Sequence, residues 1–261
     1  MIQRESGNMP IKYKSPTEIE AMRNAGRLVA QAHEVVASMI APGVTTLEVD
    51  EAVIGFIRSQ GAESAFKGYR GFPGNICASI NEEIVHGIPS KRKLKEGDIA
   101  SIDIGIRFKR YIGDRAVTYG VGKISDEARS VMDVCERSLD LAIGVAQPGT
   151  KLSVVSRTIQ EYVEKHGFGV VREFTGHGVG SEMHEEPQVP NFVDSRWAFD
   201  PILKPGLVIA IEPMVNAGTY ETAKVIRQNW EVIVTKDGRL SAHFEHTIAI
   251  TENGPQVLTN L

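Results

Sequence analysis

The stretch Leu94–Asp114, LKEGDIASIDIGIRFKRYIGD, contains two apolar runs and two aspartates. Ile99-Ala100-Ser101-Ile102 reads as a buried strand with Asp103 near its end. Arg107 to Tyr111 is a polar crossing, and Ile112-Gly113-Asp114 brings in a second carboxylate. Two acids at the ends of apolar segments are costly to bury unpaired, and become tolerable with a cation between them. On this stretch alone, a hairpin with two surface acids explains the residues equally well.

A second copy of the pattern removes that ambiguity. Leu94-Lys95-x-Gly97 leading to Ile102-Asp103 recurs as Leu203-Lys204-x-Gly206 leading to Ile211-Glu212, at identical spacing. Working outward, Pro42-Gly43 through Phe56-Ile57 to Gly61 is echoed by Pro148-Gly149 through Tyr162-Val163 to Gly167 (148 − 42 = 106; 167 − 61 = 106). His86-x-x-Pro89 is echoed by His184-x-x-Pro187. Each half reads helix, Pro-Gly, helix, Gly, His-x-x-Pro, Leu-Lys-x-Gly strand, acid. The period is far longer than that of a solenoid. The expectation is an α+β chain with a short N-terminal arm over residues 1–14 and a single domain over 15–261, its two similar halves meeting at their acids.

Composition bounds the rest. The chain has 261 residues, 42% of them hydrophobic, enough for a sizeable core without covalent staples. A net charge of −4 does not point to nucleic acid. No run of about twenty apolar residues predicts a membrane span. The opening MIQRESGNMP lacks the apolar centre of a signal peptide. Cys77 and Cys135 make no disulfide framework, which fits a reducing cytoplasm.

Along the chain, Ser15-Pro16-Thr17-Glu18 has the cap, first-turn proline and third-position acid that open a helix. Ala41-Pro42-Gly43 ends it; Thr46 is expected to cap the next, and Gly61 to stop that one. His33 is expected as a packed or surface residue. The loop FKGYRGFPGNIC, Phe66 to Cys77, could wall an apolar pocket with Tyr69 and Phe72. Ile76–Ile80 reads as a strand and the basic turn Lys91–Lys95 as a solvated face, with contact to ribosomal RNA the lesser alternative. Ser125–Val145 reads as a helix with Cys135 filling core. Val208–Glu212, Trp230–Val234 and Phe244–Ile250 read as strands, and Lys236-Asp237-Gly238 as a hairpin turn between the last two.

Five positions combine metal-binding side chains with strand ends or glycine flanks: Asp103, Asp114, His177, Glu212 and Glu245. Four carboxylates and an imidazole crowd together only around positive charge. An oxygen-rich set argues against structural zinc and suits a pair of divalent ions that clamp a water and polarise a carbonyl. His86 and His184, at matched places in the halves, read as catalytic. Glu245 reads as a ligand and His246 as structural on the other strand face; His166 and His243 read as surface residues or supports.

These residues carry a resemblance. GYRGFPGNICASINEEIVHGIP, LKEGDIASIDIG with IGD, TGHGVGSEMHEEPQVP, LKPGLVIAIEPM and LSAHFEHT together resemble type I methionine aminopeptidases in their short bacterial form, across nearly the whole chain. The resemblance implies the "pita-bread" fold, two αβ halves around a pseudo-two-fold with a curved antiparallel sheet. It implies removal of the N-terminal methionine from nascent proteins whose second residue is small. Two divalent ions (Co, Mn, Fe or Zn) would be held by Asp103, Asp114, His177, Glu212 and Glu245, with Asp114 and Glu245 bridging and Glu212 also moving a proton. His86 and His184 would face the substrate; Tyr69, Phe72, Cys77 and Trp230 would wall the methionine pocket. The implied setting is a cytoplasmic monomer that associates transiently with the ribosome and binds no DNA or membrane. Phe66, Arg70 and Met183 depart from the family pattern and bear on pocket shape. An X-Pro aminopeptidase or prolidase of the same fold is the alternative, normally with a large extra N-terminal domain. A non-catalytic binding protein on this scaffold is another, normally without the ligands.

Overall fold

The structure is a computed structural model and describes residues 10–194 and 199–261. The expected arm lies outside the described residues as far as residue 9. At its end Lys14 is fixed to the second half: its N–H donates to the Gly206 carbonyl at 2.6 Å, and its buried ammonium reaches Glu185 at 2.7 Å.

The helices begin where their caps dictate. Ser15 accepts from the Glu18 N–H while the Glu18 carboxylate accepts from Ser15, opening α1 (Pro16–Met39). The same reciprocal pair at Thr45 and Glu48 opens α2 (Thr46–Ser59). The cap is therefore Thr45 and not the expected Thr46, whose hydroxyl donates instead to the Ser90 carbonyl at 3.1 Å. Ser125 caps α3 (Asp126–Val145), and α4 (Leu152–Lys165) follows. α2 and α4 are both 14 residues long and start 106 residues apart (152 − 46 = 106).

The internal repeat is visible in the backbone. The N–H groups of Gly43 and Leu94 donate to Leu94 and Val44 respectively, each at 2.8 Å; those of Gly149 and Leu203 donate to Leu203 and Thr150, again at 2.8 Å. Gly97 and Gly206 adopt φ of 89° and 93°, a region open to glycine and strained for other residues.

The opening stretch is a hairpin whose first strand runs on past Asp103, where the sequence suggested an end, to Phe108. Ile99–Phe108 and Tyr111–Gly120 pair antiparallel from Ile99↔Gly120 to Phe108↔Tyr111. Asp103 lies opposite Ala116 and Asp114 opposite Gly105, so both acids stand on one face. In the second half, Val208–Ile211 pairs with His246–Thr251, ending at Ile211↔His246. Glu212 and Glu245 thus emerge side by side beyond the last pair. The expected strand from Phe244 breaks there: Ser241–His243 pairs with Met214–Asn216, and the Glu245 N–H crosses to the Ala116 carbonyl at 2.9 Å. Pro213, with no N–H to give, marks the matching break in the facing strand.

The expected hairpin at Lys236-Asp237-Gly238 does not form. Trp230–Thr235 pairs with Thr222–Arg227 through a tight turn in which Gln228 and Asn229 are both left-handed, and also with Glu83–Val85. The Asp237 carboxylate accepts from the N–H groups of Thr219 and Arg239, turning the chain from one sheet to another.

One apolar core gathers under α1 and α2 and another under α3 and α4; a third, with Met22, Phe66, Phe72, Cys77, Met183 and Val208, lies between the halves. Ile102, Ile104, Ile106 and Ile112 are fully buried, each worth about 1.5–3 kcal/mol. The hairpin also sutures the seam. Ile112 donates to Gly180 at 3.0 Å, and the hydroxyls of Thr118 and Thr247 donate to His243 and Asp114, both at 2.8 Å. A Cβ on Gly113 would stand 2.8 Å from the Gly26 backbone, so the hairpin meets α1 through two glycines.

Candidate metal centre

The acids and His177 meet at this seam. Asp114 and Glu245 are each 2% exposed and His177 6%, and one ligating atom from each lies within 4.8 Å of the others. His177 Nε2 is 3.7 Å from Asp114 Oδ2 and 3.5 Å from Glu212 Oε1. Asp103 shares a hydrogen-bonding contact with Asp114, as does Glu245. His177 is held rigidly: a Cβ on Gly176 or Gly178 would collide with the carbonyls of Ala210 and Glu186. Its Nδ1 donates to the Gly178 carbonyl at 2.9 Å, which leaves the Nε2 lone pair facing the carboxylates.

The protein alone cannot satisfy this cluster. Asp103 Oδ1, Asp114 Oδ1 and Glu245 Oε1 are buried without a hydrogen-bond partner. Burial raises the Asp103 carboxyl to about 7, and burial plus mutual repulsion raises Asp114 and Glu245 well above the carboxylate range; burial, then the Asp103 charge, does the same to Glu212. Burial pushes His177 down to about 4. Crowded carboxylates that prefer protons and an imidazole that prefers to stay neutral form a site made for cations. The oxygen-rich set with a neutral nitrogen fits a divalent metal.

In the metal-free fold Asp103 holds its proton up to about pH 7, whereas an unfolded aspartate releases it near 4. That contribution to stability is complete below about pH 4 and lost as the pH rises through about 7. The metal-loaded fold excludes those protons and gains nothing from acid. Adding Mn should therefore raise Tm most at pH 7.5–8, with the increment shrinking towards pH 5. Thermal scans with and without metal would measure it, and an increment independent of pH would contradict this account.

A cavity of about 250 Å³ opens on the cluster. Tyr69, Phe72, Cys77, His86, His184 and Trp230, anticipated as facing substrate, all line it, and so do Phe66, Arg70 and Met183. Phe72 packs edge-on against Phe66 and Trp230, with ring centres 6.4 and 5.3 Å apart. His184 lies against Tyr69 with ring planes within 10°, and Tyr69 Oη is 2.8 Å from its Nδ1. Burial holds His184 down to about 2, helped by His177 and Arg70, and holds His86 down to about 4. Both are neutral at pH 7.

The other histidines divide as their sequence contexts suggested. His33 is buried between the Tyr119 hydroxyl and the Arg115 carbonyl, His246 bonds Thr259 Oγ1 at 2.8 Å, and exposed His166 bonds the Tyr162 carbonyl. His243 lies beside the centre. Its Nε2 is 3.9 Å from Glu212 Oε2 and it lines the cavity. Phe174, edge-on to His86 at 5.5 Å, was not anticipated; its place beside the Thr175-Gly176-His177 segment was the available signal. Cys135 is core, its thiol directed at the Pro213 and Ala242 carbonyls.

Comparison with known proteins agrees with the geometry. The model of metallopeptidase family M24 matches residues 20–252. Methionine aminopeptidase 1 of Bacillus subtilis is 52% identical over 95% of this chain and 98% of its own length. The crystal structure of methionine aminopeptidase from Thermotoga maritima superposes with a TM-score of 0.92 at 43% identity, covering 97% of this chain and all of that one. The chain belongs to metallopeptidase family M24, within its methionine aminopeptidase branch. The prolidase of Pyrococcus furiosus, 24% identical with a TM-score of 0.76, covers 95% of this chain and 65% of that one and shows the shared pita-bread fold.

Proposed function

We propose that the protein hydrolyses the first peptide bond of chains that begin with methionine and continue with a small residue. The observation that carries this reading is the abutment of an apolar slot, walled by Phe66, Phe72, Met183 and Trp230, on a buried centre of four carboxylates and His177. Methionine, long and unbranched, suits such a slot.

Asp103, Asp114, His177, Glu212 and Glu245 would hold two divalent ions, and Asp114 and Glu245 are the most buried of the four carboxylates. Bound there, the ions supply Lewis acidity for the carbonyl and a water made acidic at neutral pH. The remaining work falls to the chain. With the Tyr69 hydroxyl donating to Nδ1, His184 keeps its proton on Nε2 and can donate it to the carbonyl oxygen as negative charge develops. His86, neutral and fixed between Phe174 and Trp230, presents a second donor from the opposite half. Glu212, beside His177 and His243, can carry a proton to the leaving nitrogen.

Both cysteines are free, and no helix among the described residues is long and apolar enough to cross a membrane. Free cysteines suit a reducing cytoplasm; there the protein would act as a monomer on nascent chains, with exposed Lys91, Lys93 and Lys95 available for transient ribosome contact. Arg92 is already paired with Glu83 at 3.0 Å.

The direct test is hydrolysis of Met-Ala-Ser, Met-Leu-Ser and Ala-Ala-Ser by metal-loaded protein. Met-Ala-Ser should be cleaved on the order of 10²-fold faster than either of the others, the scale of a discrimination made by pocket size. Equal rates on Met-Ala-Ser and Met-Leu-Ser would contradict the small-residue rule.

A further inference from the structure

Arg70 stands at the rim of the cavity on the loop that carries Tyr69 and Phe72. Its backbone is left-handed, φ 49°, between Gly68 at 81° and Gly71 at 90°. Non-glycine residues pay for that conformation, and such strain persists where a site uses it. Here the fold offers the side chain no return. Arg70 is exposed and has no carboxylate partner among the described residues; it leans over the Tyr69 ring, with Cζ 5.5 Å from the centroid. Lys67, the other cation of the loop, is engaged by the Pro73 carbonyl. The Tyr69 ring in turn lies 5.4 Å from that of His184. An extended peptide advances about 3.3–3.6 Å per residue. A substrate leaving the centre past His184 therefore brings its third residue near the guanidinium, the second being confined by the cluster itself.

We propose that Arg70 is a specificity-determining residue that reads an acidic side chain at the third position of the substrate. The inference rests on the aminopeptidase reading and adds a charge preference to it. A planar, permanently charged guanidinium backed by an aromatic face is suited to a carboxylate. An exposed pair of this kind is worth up to about a five-fold difference in affinity, and salt should erase it.

The experiment is steady-state kinetics of the metal-loaded protein on Met-Ala-Asp-Ala, Met-Ala-Asn-Ala and Met-Ala-Lys-Ala, all C-terminally amidated so that no terminal carboxylate competes. Wild type should favour Asp over Asn by roughly five-fold in kcat/KM at low ionic strength, with Lys poorest, and the ranking should flatten in 0.5 M salt. Arg70→Gln should remove the ranking while still cleaving the Asn peptide, and Arg70→Glu should favour Lys. The same ranking in wild type and both variants, or none in wild type, would overturn the proposal. Failure to cleave any Met-Ala peptide would overturn the aminopeptidase reading itself, and this inference with it.

Discussion

Asp114→Ala is expected to leave a folded protein that binds no metal pair and has no measurable peptidase activity. Asp114 is enclosed by the others: it lies against Asp103 and Glu245, and its Oδ2 faces His177. Altering a residue that merely orients a ligand typically costs 10–100-fold in metal affinity or activity, and removing a shared ligand should cost well beyond about 10²-fold. Stability should move the other way. Without metal, four clustered acids repel one another at pH 8, so deleting one should leave the metal-free variant at least as stable as metal-free wild type, although the change also opens a small cavity. Metal content by elemental analysis, kinetics and thermal scans at pH 8 read all three. A variant that retains two equivalents of metal, or responds to Mn with the wild-type gain in Tm, would refute the shared-ligand role.

The second large effect separates two histidines whose ring centres are only 4.1 Å apart. His177→Ala should lose metal, with activity falling in step with occupancy. His184→Ala should keep its metal and much of its affinity for substrate while kcat falls on the order of 10²–10³-fold, about 3–4 kcal/mol, the usual cost of one donor to a developing oxyanion. Uniformly weaker binding would instead raise KM and spare kcat. The distinction rests on orientation. His177 turns its free nitrogen to the carboxylates, whereas His184 is tied through Nδ1 to Tyr69 on the apolar side. A metal-depleted His184→Ala or a fully loaded His177→Ala would reverse the assignment.

The repeat made the architecture legible. Identical spacing from Leu94 to Asp103 and from Leu203 to Glu212 can persist only if two segments occupy equivalent places, and the matching Gly43–Leu94 and Gly149–Leu203 hydrogen bonds are those places. The convergence of Glu212 and Glu245 followed, since each sits where an apolar strand ends, whereas Asp103 and Asp114 stand inside the two strands of the hairpin and share a face because of its register. Pairing partners were harder to read, because contacts distant in sequence leave little local trace. Trp230–Val234 and Phe244–Ile250 looked like a hairpin, yet Trp230–Thr235 pairs with Thr222–Arg227 and Glu83–Val85, and His246–Thr251 with Val208–Ile211. Thr46 looked like a cap because threonine favours that place, but Glu48 stands three residues after Thr45, and that spacing decides. The approach of His243 to Glu212 needed the strand break at Phe244-Glu245, which apolar patterning conceals.

The bond between Lys14 and Glu185 joins residues 171 positions apart, and both side chains are almost wholly enclosed. Glu185 adjoins His184, so the loop that presents this histidine is anchored by a residue lying before the first helix. As the chain is made from its N-terminus, Lys14 exists long before its counter-charge. The helices, hairpin and paired aspartates of the first half can assemble in that interval, but the ammonium stays unmatched until the second half arrives. Closure of this contact thus waits for the second half, and it ties completion of the His184 loop to the presence of the first 185 of the 261 residues.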